Sequence, residues 1–258
     1  MSQNQHTNTV LVTAGASGIG FAIAEAFLAN GDQVHICDIN EKAIEQALSK
    51  HSELQASVAD VGDPLAVDKL FADIEGRWGG LSVLVNNAGV GGQRASLDEL
   101  DDDAWDACIR VNLSGAFYCM KRAIKWMKRD RHGAIINIST ASVRTGLPFR
   151  APYVASKAGL EALTTNAARE LGPHNIRCNA ILPGAINNER GQNLIRIQAE
   201  TQGISYTEAQ AEALKYTSMR TMIEMSEIGD MAVFLASDRA KHVSGQKIGV
   251  CGNAEWEE

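Results

Sequence analysis

The first apolar run of the chain, residues 10–12, leads into a glycine-rich turn at 13–20, and a helical pattern follows at once. A buried strand, a glycine turn and a helix N-terminus together form a phosphate site. Glycine lets backbone N–H groups approach an anion, and the helix dipole favours that anion. The candidate contacts in this turn are Gly15, Ser17, Gly18, Ile19 and Gly20. This order of elements predicts a parallel α/β sheet with a ligand at the carboxyl ends of its strands.

Short apolar runs and helical patterns continue to alternate along the chain. The predicted strands cover residues 10–12, 33–37, 54–59, 81–85, 133–139, 176–182 and 246–250. This alternation predicts an α/β fold whose seven-stranded parallel sheet carries helices on both faces. The 258 residues are expected to form a flexible tail at 1–8 and a single domain at 9–258. The polar, glutamine-rich segment 189–225 breaks the alternation and is predicted to be a mobile lid or substrate loop inserted in that domain.

Charge and composition exclude several classes of partner. The net charge is −7 without a basic block, which argues against a nucleic-acid partner. No apolar run approaches the length that spans a bilayer, and residues 1–8 hold no apolar signal-peptide core, which favours a cytoplasmic protein. The five cysteines and six histidines lack metal-ligand spacing, so we expect no metal site.

An acidic residue ends the second predicted strand. Asp38 follows the first glycine of the turn by about 20 residues, where a carboxylate can bond the ribose hydroxyls of a dinucleotide. The alternative interpretation is a cap for the helix that begins near residue 41. A carboxylate here repels a 2′-phosphate, and the neighbouring positions supply no basic partner, so NAD is favoured over NADP.

Further polar and small residues stand at the carboxyl ends of the other strands, where they could contact a cofactor. Asp60 could meet an adenine ring or merely cap the following helix. Asn86 ends an apolar run and is followed by small residues that admit a flat ring, while residues 185–188 lie beside a proline-glycine corner. The remaining candidates of this kind are Val61, Ala88, Gly89, Pro183, Gly184, Ile186 and Asn188.

One helix carries an amide on its apolar face. Asn112 lies in the apolar stripe of the helix predicted at 104–128, and a buried amide without partners costs about 1–3 kcal/mol. Asn112 must therefore bond a bent backbone, a water or a neighbouring polar site.

Tyr153 and Lys157 stand four residues apart at the start of a predicted helix, so their side chains share one face. An ammonium beside a phenol favours the phenolate and lowers the tyrosine pKa from about 10 toward neutrality. The pair alone also occurs by chance on amphipathic helices. Thr140 and Ser142 add hydroxyls at the end of the preceding strand, where open α/β sheets bind ligands.

Taken in order, these motifs resemble the short-chain dehydrogenase/reductase family in its compact, single-domain form, over residues 9–252. The resemblance implies a Rossmann-type, doubly wound fold and reversible hydride transfer between NAD and an alcohol or carbonyl carbon. It assigns acid/base catalysis to Tyr153. Lys157 would lower the tyrosine pKa and hold the nicotinamide ribose, and Asn112 would support a water-linked proton relay. A homotetramer, or a homodimer, is the matching assembly.

The sequence departs from the family pattern at three positions. Ala14 replaces the first glycine of the turn, and Asn188 stands where a threonine often follows the proline-glycine corner. Thr140 occupies the position of the substrate-orienting serine, and Ser142 is its rival for that role. The family pattern therefore holds at the tyrosine, the lysine and Asn112, and it is altered at the turn and at the substrate hydroxyl.

The expected function is an NAD-dependent interconversion of a small or medium polar alcohol and its ketone, in either direction. The alternative is a non-catalytic NAD-binding sensor or scaffold of the same fold, because fold alone does not determine function. Arg94, Arg144 and Arg150 fall in loops predicted to border the pocket. They suggest an anionic or polyhydroxylated substrate.

Overall fold

The computed structural model describes residues 7–254, and all seven predicted strands lie in one sheet. The strands are β1 Thr9–Thr13, β2 Gln33–Asp38, β3 Gln55–Val58, β4 Val83–Asn86, β5 Gly133–Ile138, β6 Ile176–Pro183 and β7 Lys247–Val250. Their spatial order is β3-β2-β1-β4-β5-β6-β7, and neighbouring strands are parallel. The predicted seven-stranded parallel sheet is confirmed.

Helices cover both faces of this sheet, as predicted. They are α1 Gly18–Ala29, α2 Glu41–Lys50, α3 Pro64–Trp78, α4 Asp102–Ile109, α5 Ala116–Asp130, α6 Ser142–Thr145, α7 Ala151–Leu171, α8 Glu189–Gln202, α9 Tyr206–Leu214 and α10 Met225–Ala236. Short 3-10 turns follow α7 at Gly172–His174 and α10 at Asp238–Ala240.

The side chains of the strands point alternately into two hydrophobic cores, one on each face of the sheet. Val10 and Val12 of β1 belong to the core that contains residues of α1, α2 and α10. Leu11, between them, belongs to the opposite core, built with α3, α5 and α7. Successive side chains of a strand point to opposite faces, so a strand buried on both faces is apolar throughout.

The strand order reverses between β1 and β4. The helix after β1 packs on one face, whereas α5, which follows β4, packs on the other. A crevice therefore opens between the carboxyl ends of these two strands. Open α/β sheets bind their ligands at such a point.

The long helix predicted at 104–128 is interrupted in its middle. A π-helical segment, Arg110–Gly115, separates α4 from α5 and contains Asn112. Such π segments widen the helix locally and frequently occur at functional sites.

The segment predicted as a lid, 189–225, is mainly helical. It holds α8 and α9, which share a small core of Ile195, Ala199 and Ala209. The segment leaves and rejoins the domain at neighbouring points, because Ile186 pairs with Ile223 in a parallel bridge. Its mobility and its role as a lid stay predictions.

Asn8, from the predicted tail, is bonded to the domain. The backbone N–H and the side-chain amide of Asn8 donate to the Asp32 carboxylate at 2.8 and 3.0 Å. Residues 1–6 of that tail lie outside the described residues, as do 255–258. Within residues 7–254, no helix combines the length and the apolar character needed to cross a membrane.

Candidate active site

The turn after β1 has a backbone that its sequence only partly suits. Gly18 adopts a φ of 56°, in the left-handed region that glycine occupies at little cost. Ala14 also adopts a left-handed φ, 49°, where its methyl group causes steric strain. A Cβ on Gly20 would lie 2.2 Å from the carbonyl oxygen of Ala14, so that position requires glycine. The start of α1 is thereby packed closely against the turn.

Asn87 locks this turn to the end of β4. Its amide nitrogen donates to the carbonyl oxygens of Thr13 at 3.0 Å and Ala14 at 3.1 Å. The Thr13 hydroxyl oxygen accepts in return from the backbone N–H groups of Asn87 and Ala88, each at 3.0 Å. These bonds fix β1 and β4 relative to each other at the crevice.

The N-terminus of α1 suits an anion. The N-cap residue Ser17 makes no side-chain capping bond, and the first helical turn contains no acidic residue. Backbone N–H groups at a helix start have no intrahelical acceptor, and the helix dipole adds partial positive charge there. The five predicted contacts of the glycine turn all lie in this stretch, which fits the pyrophosphate of a dinucleotide.

Asp38 ends β2, and its carboxylate reaches back to the glycine turn. One oxygen accepts from the backbone N–H of Ala16 at 3.3 Å and the other from that of Asn40 at 3.1 Å. The cap of α2 is Asn40, whose side chain accepts from the N–H of Ala43. The alternative interpretation of Asp38 as the helix cap is therefore wrong, and the carboxylate lies between the turn and the strand end, where a ribose is expected.

Asp60 and Val61 follow β3 at the same edge of the sheet. The Asp60 carboxylate accepts from the backbone N–H of Gly62 at 2.8 Å and pairs with Arg110 at 3.2 Å. The cap of α3 is Asp63, so the capping alternative for Asp60 is also wrong. Val61 is buried at the strand end. Contact of either residue with an adenine ring stays a prediction.

The chain after β4 passes close to the groups expected to act in catalysis. Asn86 is buried; its amide nitrogen donates to Asn137 at 2.8 Å, and its side-chain oxygen has no hydrogen-bond partner among the described residues. A Cβ on Gly89 would lie 3.1 Å from Nζ of Lys157 and 3.4 Å from Oδ1 of Asn112. Only a residue without a side chain fits between these groups without displacing them.

Asn112 holds that chain segment from the π-helical segment. Its Oδ1 accepts from the N–H of Val90 at 2.7 Å, and its Nδ2 donates to the carbonyl oxygen of Val90 at 3.0 Å. Nδ2 also donates to the Ser156 hydroxyl at 2.9 Å, and Ser156 donates to the carbonyl oxygen of Tyr153 at 2.8 Å. The amide therefore has the partners that its burial demands, and it connects the π segment to the helix of Tyr153. Its part in a proton relay stays a prediction.

Tyr153 and Lys157 lie one turn apart near the start of α7. Lys157 is 3% exposed, and its Nζ donates at 2.7 Å to the carbonyl oxygen of Ile138, the last residue of β5. Burial lowers the pKa of Lys157 to about 8, although the nearby Cys108 thiol acts in the opposite direction. Tyr153 is half-buried, so the pair combines a buried ammonium with a tyrosine that is partly exposed.

The two rival hydroxyls are bonded to each other. Oγ1 of Thr140 lies 3.2 Å from Oγ of Ser142 and accepts from the Ser142 N–H at 3.2 Å. Ser139, the residue before them, donates to the buried carboxylate of Glu161 at 2.8 Å. The Ser139 hydroxyl is therefore used in a bond to α7. Thr140 and Ser142 form a pair of hydrogen-bonded hydroxyls after the end of β5.

The proline-glycine corner after β6 is rigid. The carbonyl oxygen of Pro183 accepts from the N–H of Ala141, and the N–H of Gly184 donates to the carbonyl oxygen of Val250, both at 3.0 Å. Asn188 caps α8 by accepting from the N–H of Gly191 at 2.8 Å. The corner joins three neighbouring strand ends, and contacts of residues 183–188 with a cofactor stay predictions.

The three loop arginines are not together. Arg94 is exposed, and Arg144 donates to the carbonyl oxygen of Lys247 in β7 at 3.0 Å. Arg150 lies at the tyrosine, with its guanidinium carbon 5.3 Å from the centroid of the Tyr153 ring. The structure therefore brings one of the three to the predicted catalytic group.

Three residues that matter to this geometry were not among the predicted site residues. Asn87 clamps the glycine turn, and Ser156 joins Asn112 to the tyrosine helix. Ile39 follows Asp38 and is 72% exposed, an apolar surface beside the expected ribose that an adenine ring would cover. The exposure of a large apolar side chain depends on tertiary packing, so no sequence signal marked it.

The predicted site residues mostly gather along the carboxyl edge of the sheet. The glycine turn, Asp38 and the chain after β4 can hold a dinucleotide, and the tyrosine and lysine of α7 can move a proton beside it. Within residues 7–254, no group of three or more histidine, cysteine, aspartate or glutamate side chains could hold a metal ion.

The sequence matches known proteins over nearly its whole length. A family model described as enoyl-(acyl carrier protein) reductase matches residues 13–252. An uncharacterized oxidoreductase of Bacillus subtilis strain 168 is 33% identical over 243 residues, which cover 92% of this chain and 94% of that protein. A 3-oxoacyl-(acyl carrier protein) reductase of Staphylococcus aureus strain Mu50 is 36% identical over 257 residues, which cover 95% and 97% respectively.

Two solved structures share the fold and carry different cofactors. An actinorhodin polyketide ketoreductase variant with NADPH gives a TM-score of 0.89 at 29% identity, covering 97% of this chain and 98% of that one. An NAD+-bound xylitol dehydrogenase gives 0.89 at 26% identity, covering 97% and 100%. The likeness supports a nicotinamide dinucleotide cofactor without distinguishing its two forms.

We expect Ala14→Gly to stabilise the protein. The left-handed conformation costs a non-glycine residue about 1–2 kcal/mol, whereas glycine loses about 0.5–1 kcal/mol more backbone entropy on folding. The net gain should be about 0.5–1 kcal/mol in the free energy of unfolding, measured in urea. Ala16→Gly is the matched control: it removes a buried methyl where no positive φ occurs, and it should destabilise. A less stable Ala14→Gly protein would contradict the strain.

The stability of the protein should rise with pH through the titration of Lys157. The folded-state pKa, about 8, lies below the unfolded value of about 10.4. Between these values the unfolded chain holds a proton that the folded chain has lost, so stability rises with pH by about 3 kcal/mol in total. Because other groups titrate there too, the measurement is the difference in unfolding free energy between the wild type and Lys157→Met. That difference should grow by about 3 kcal/mol between pH 7.5 and 10.5. If the unfolding free energies of the two proteins changed in parallel with pH, the pKa of Lys157 would be that of an ordinary lysine.

Proposed function

Because the chain belongs to the short-chain dehydrogenase/reductase family of oxidoreductases, we propose that it interconverts a secondary alcohol and a ketone with NAD as cofactor. One observation carries the proposal. Tyr153 is partly exposed and lies one helical turn from the buried Lys157, whose Nζ lies close to the chain segment that Asn112 holds. This is the arrangement that proton transfer to and from a substrate oxygen needs.

Tyr153 is the proposed general acid/base. In the oxidative direction the phenolate takes the hydroxyl proton of the substrate, and in the reductive direction the phenol returns it to the carbonyl oxygen. A nicotinamide ring, when bound, accepts or supplies the hydride. Lys157 supplies a positive charge one helical turn from Tyr153, and its hydrogen bond to Ile138 holds that charge at the end of β5.

Thr140 and Ser142 are the proposed groups that orient the substrate oxygen. Their mutual hydrogen bond means that a substrate oxygen bonded to one of them is also linked to the other. Thr140 is the residue we favour, since it stands at the position of the family's substrate-orienting serine. It follows the end of β5, two residues after Ile138, whose carbonyl oxygen accepts from Lys157.

The proposed preference for NAD rests on Asp38. Its carboxylate lies between the glycine turn and α2, with backbone bonds on both oxygens that hold it in place. A 2′-phosphate would bring about two negative charges against it, and the turn offers Ala16 and Ser17 rather than a basic residue. Because the solved relatives hold either NADPH or NAD+, the fold alone does not decide between the two cofactors. The proposed preference therefore depends on Asp38.

The alternative function, a non-catalytic sensor or scaffold, would need only the dinucleotide site. A binding protein would need Lys157 to hold the ribose but would not need a tyrosine beside it, whereas burial lowers the pKa of Lys157 to about 8. Such perturbed groups are typical of catalytic sites. The intact set of Tyr153, Lys157 and Asn112 therefore favours the enzyme.

We further propose a homotetramer that works in the cytoplasm. Phe117 of α5 is 47% exposed, an unusual position for a large aromatic side chain and one that a partner subunit would cover. All five cysteines are buried free thiols, as a reducing compartment would leave them.

Tyr153→Phe should abolish turnover and spare cofactor binding. The change removes only the phenol oxygen, so kcat should fall by about 100-fold or more, the usual worth of acid/base catalysis. Turnover is followed by the absorbance of reduced nicotinamide with a panel of alcohols, hydroxy acids, sugars, ketones and a 3-oxoacyl thioester; NAD affinity is followed by calorimetry. Tyr118→Phe, on α5, is the matched control. Full activity in Tyr153→Phe would exclude the assigned role, and tight NAD binding without turnover in the wild type would favour the sensor.

Asp38→Ser should weaken the preference for NAD. Loss of the ribose bonds should cost roughly 10-fold in kcat/KM with NAD, as for a hydrogen bond to a charged group. Removal of the repulsion should raise kcat/KM with NADP, so the NAD/NADP ratio should fall by roughly 100-fold or more in total. Asp63→Asn removes another carboxylate while keeping a capping side chain on α3, and it should leave the ratio unchanged. An unchanged ratio in Asp38→Ser would refute this basis for cofactor choice.

A further inference from the structure

Arg150 is fixed against the tyrosine from two sides. Its half-buried guanidinium lies over the Tyr153 ring, 5.3 Å from the centroid, and its Nε donates to the carbonyl oxygen of Gly91 at 3.1 Å. Gly91 directly follows Val90, which Asn112 holds by two hydrogen bonds. Arg150 therefore presents its charge at a defined point beside the proposed acid/base.

Two cationic side chains and a helix start lie near Tyr153 along α7, since Arg150 precedes it by three residues and Lys157 follows it by four. Arg150 is the N-cap of α7, makes no side-chain capping bond, and is followed by a first turn without an acidic residue, so the positive end of the helix dipole is unopposed within its own first turn. The Lys157 ammonium lies within the same helix, close to the chain segment after β4. A guanidinium and a helix start beside the proposed acid/base are both groups to which an anionic substrate can bind.

The other two loop arginines do not share this position. Arg144 is bonded to the β7 backbone, and its Nη1 would lie 3.3 Å from a Cβ placed on Gly249. Arg94 is exposed in the loop before α4. Arg144 thus serves as a matched arginine that is close in sequence and differently placed.

We propose that Arg150 determines the substrate specificity of this site by selecting alcohols and ketones that carry a carboxylate a few bonds from the reacting carbon. The inference rests on the proposed function. A substrate oxygen bonded to the Tyr153 phenol lies within a few carbon atoms of a guanidinium stacked over that ring. A guanidinium has five N–H donors and binds carboxylates in a bidentate manner. The Nε–H of Arg150 donates to the carbonyl oxygen of Gly91. A substrate carboxylate would bind the other N–H groups of the guanidinium, together with or in place of any partner that they already have.

The test compares acids with neutral analogues of the same shape. The probes are lactate, 3-hydroxybutyrate and 4-hydroxypentanoate, which place the carboxylate at increasing distance from the secondary alcohol, together with their methyl esters. The wild type should prefer one acid over its ester in NAD-linked turnover. In Arg150→Met, kcat/KM for that acid should fall roughly 10- to 100-fold, mainly through KM, as expected for a lost charge-assisted hydrogen bond. The ester should change little.

Two further variants separate recognition from folding. Arg150→Lys keeps a cation and should retain part of the preference for the acid, whereas Arg150→Glu should reverse it in favour of the ester. Arg144→Met should leave the acid/ester ratio unchanged. Equal losses for acid and ester in Arg150→Met, without partial rescue by lysine, would mean a purely structural side chain and would overturn the inference.

The outcomes also distinguish this inference from the function on which it rests. Turnover of esters or of a neutral 3-oxoacyl thioester in preference to every acid would overturn the Arg150 assignment and leave the oxidoreductase intact. The absence of NAD- or NADP-linked turnover with any probe, in a protein that binds the dinucleotide, would overturn the proposed function and the inference with it.

Discussion

The geometry of the site depends on a buried polar connection between the sheet and α7. Nδ2 of Asn137, in β5, donates to the Thr164 hydroxyl at 2.8 Å, and Oδ1 of Asn137 accepts from Asn86 at 2.8 Å. These groups are buried, and each would cost about 1–3 kcal/mol if left without a partner. An apolar contact between a helix and a sheet tolerates small shifts of the helix. These directional hydrogen bonds form only when the helix lies at one position along the strand. The helix that carries the tyrosine and the lysine is therefore held at a fixed height above the strand ends.

Some strained and unfavourably buried groups occur in the region that this connection positions. Ala14 and Phe149 both adopt left-handed φ angles, 49° and 63°, that residues with side chains rarely take. The Lys157 ammonium has been withdrawn from water, and the side-chain oxygen of Asn86 lacks a partner among the described residues. Each feature costs stability, and the two cores on either face of the sheet offset it. Their location at one edge is what a binding and catalytic site requires, because a relaxed edge would offer neither charge nor open hydrogen-bonding groups.

The sequence predicted the sheet and its order of elements, because those features rest on local rules. Spacing alone also places the glycine turn and the acid at Asp38 at strand ends, and the amide at Asn112 on the apolar face of a helix. The sequence indicated only weak helical character in 189–225, since the polar composition of these helices reflects an exposed surface rather than a lack of helix. Nor could it separate Arg150 from Arg144, because the direction of a loop side chain is set by tertiary contacts that no periodicity encodes.

The hydroxyls at the end of β5 show how a local rule can decide a question that composition leaves open. Ser139 and Thr140 are adjacent, and successive side chains of an extended chain point to opposite sides. Ser139 donates to Glu161 on α7, so its hydroxyl is used within the protein. Thr140 must then point the other way, and it does, toward Ser142. A serine moved by one residue would face the helix instead of the cleft, so the position is fixed by alternation, while threonine still supplies the hydroxyl there.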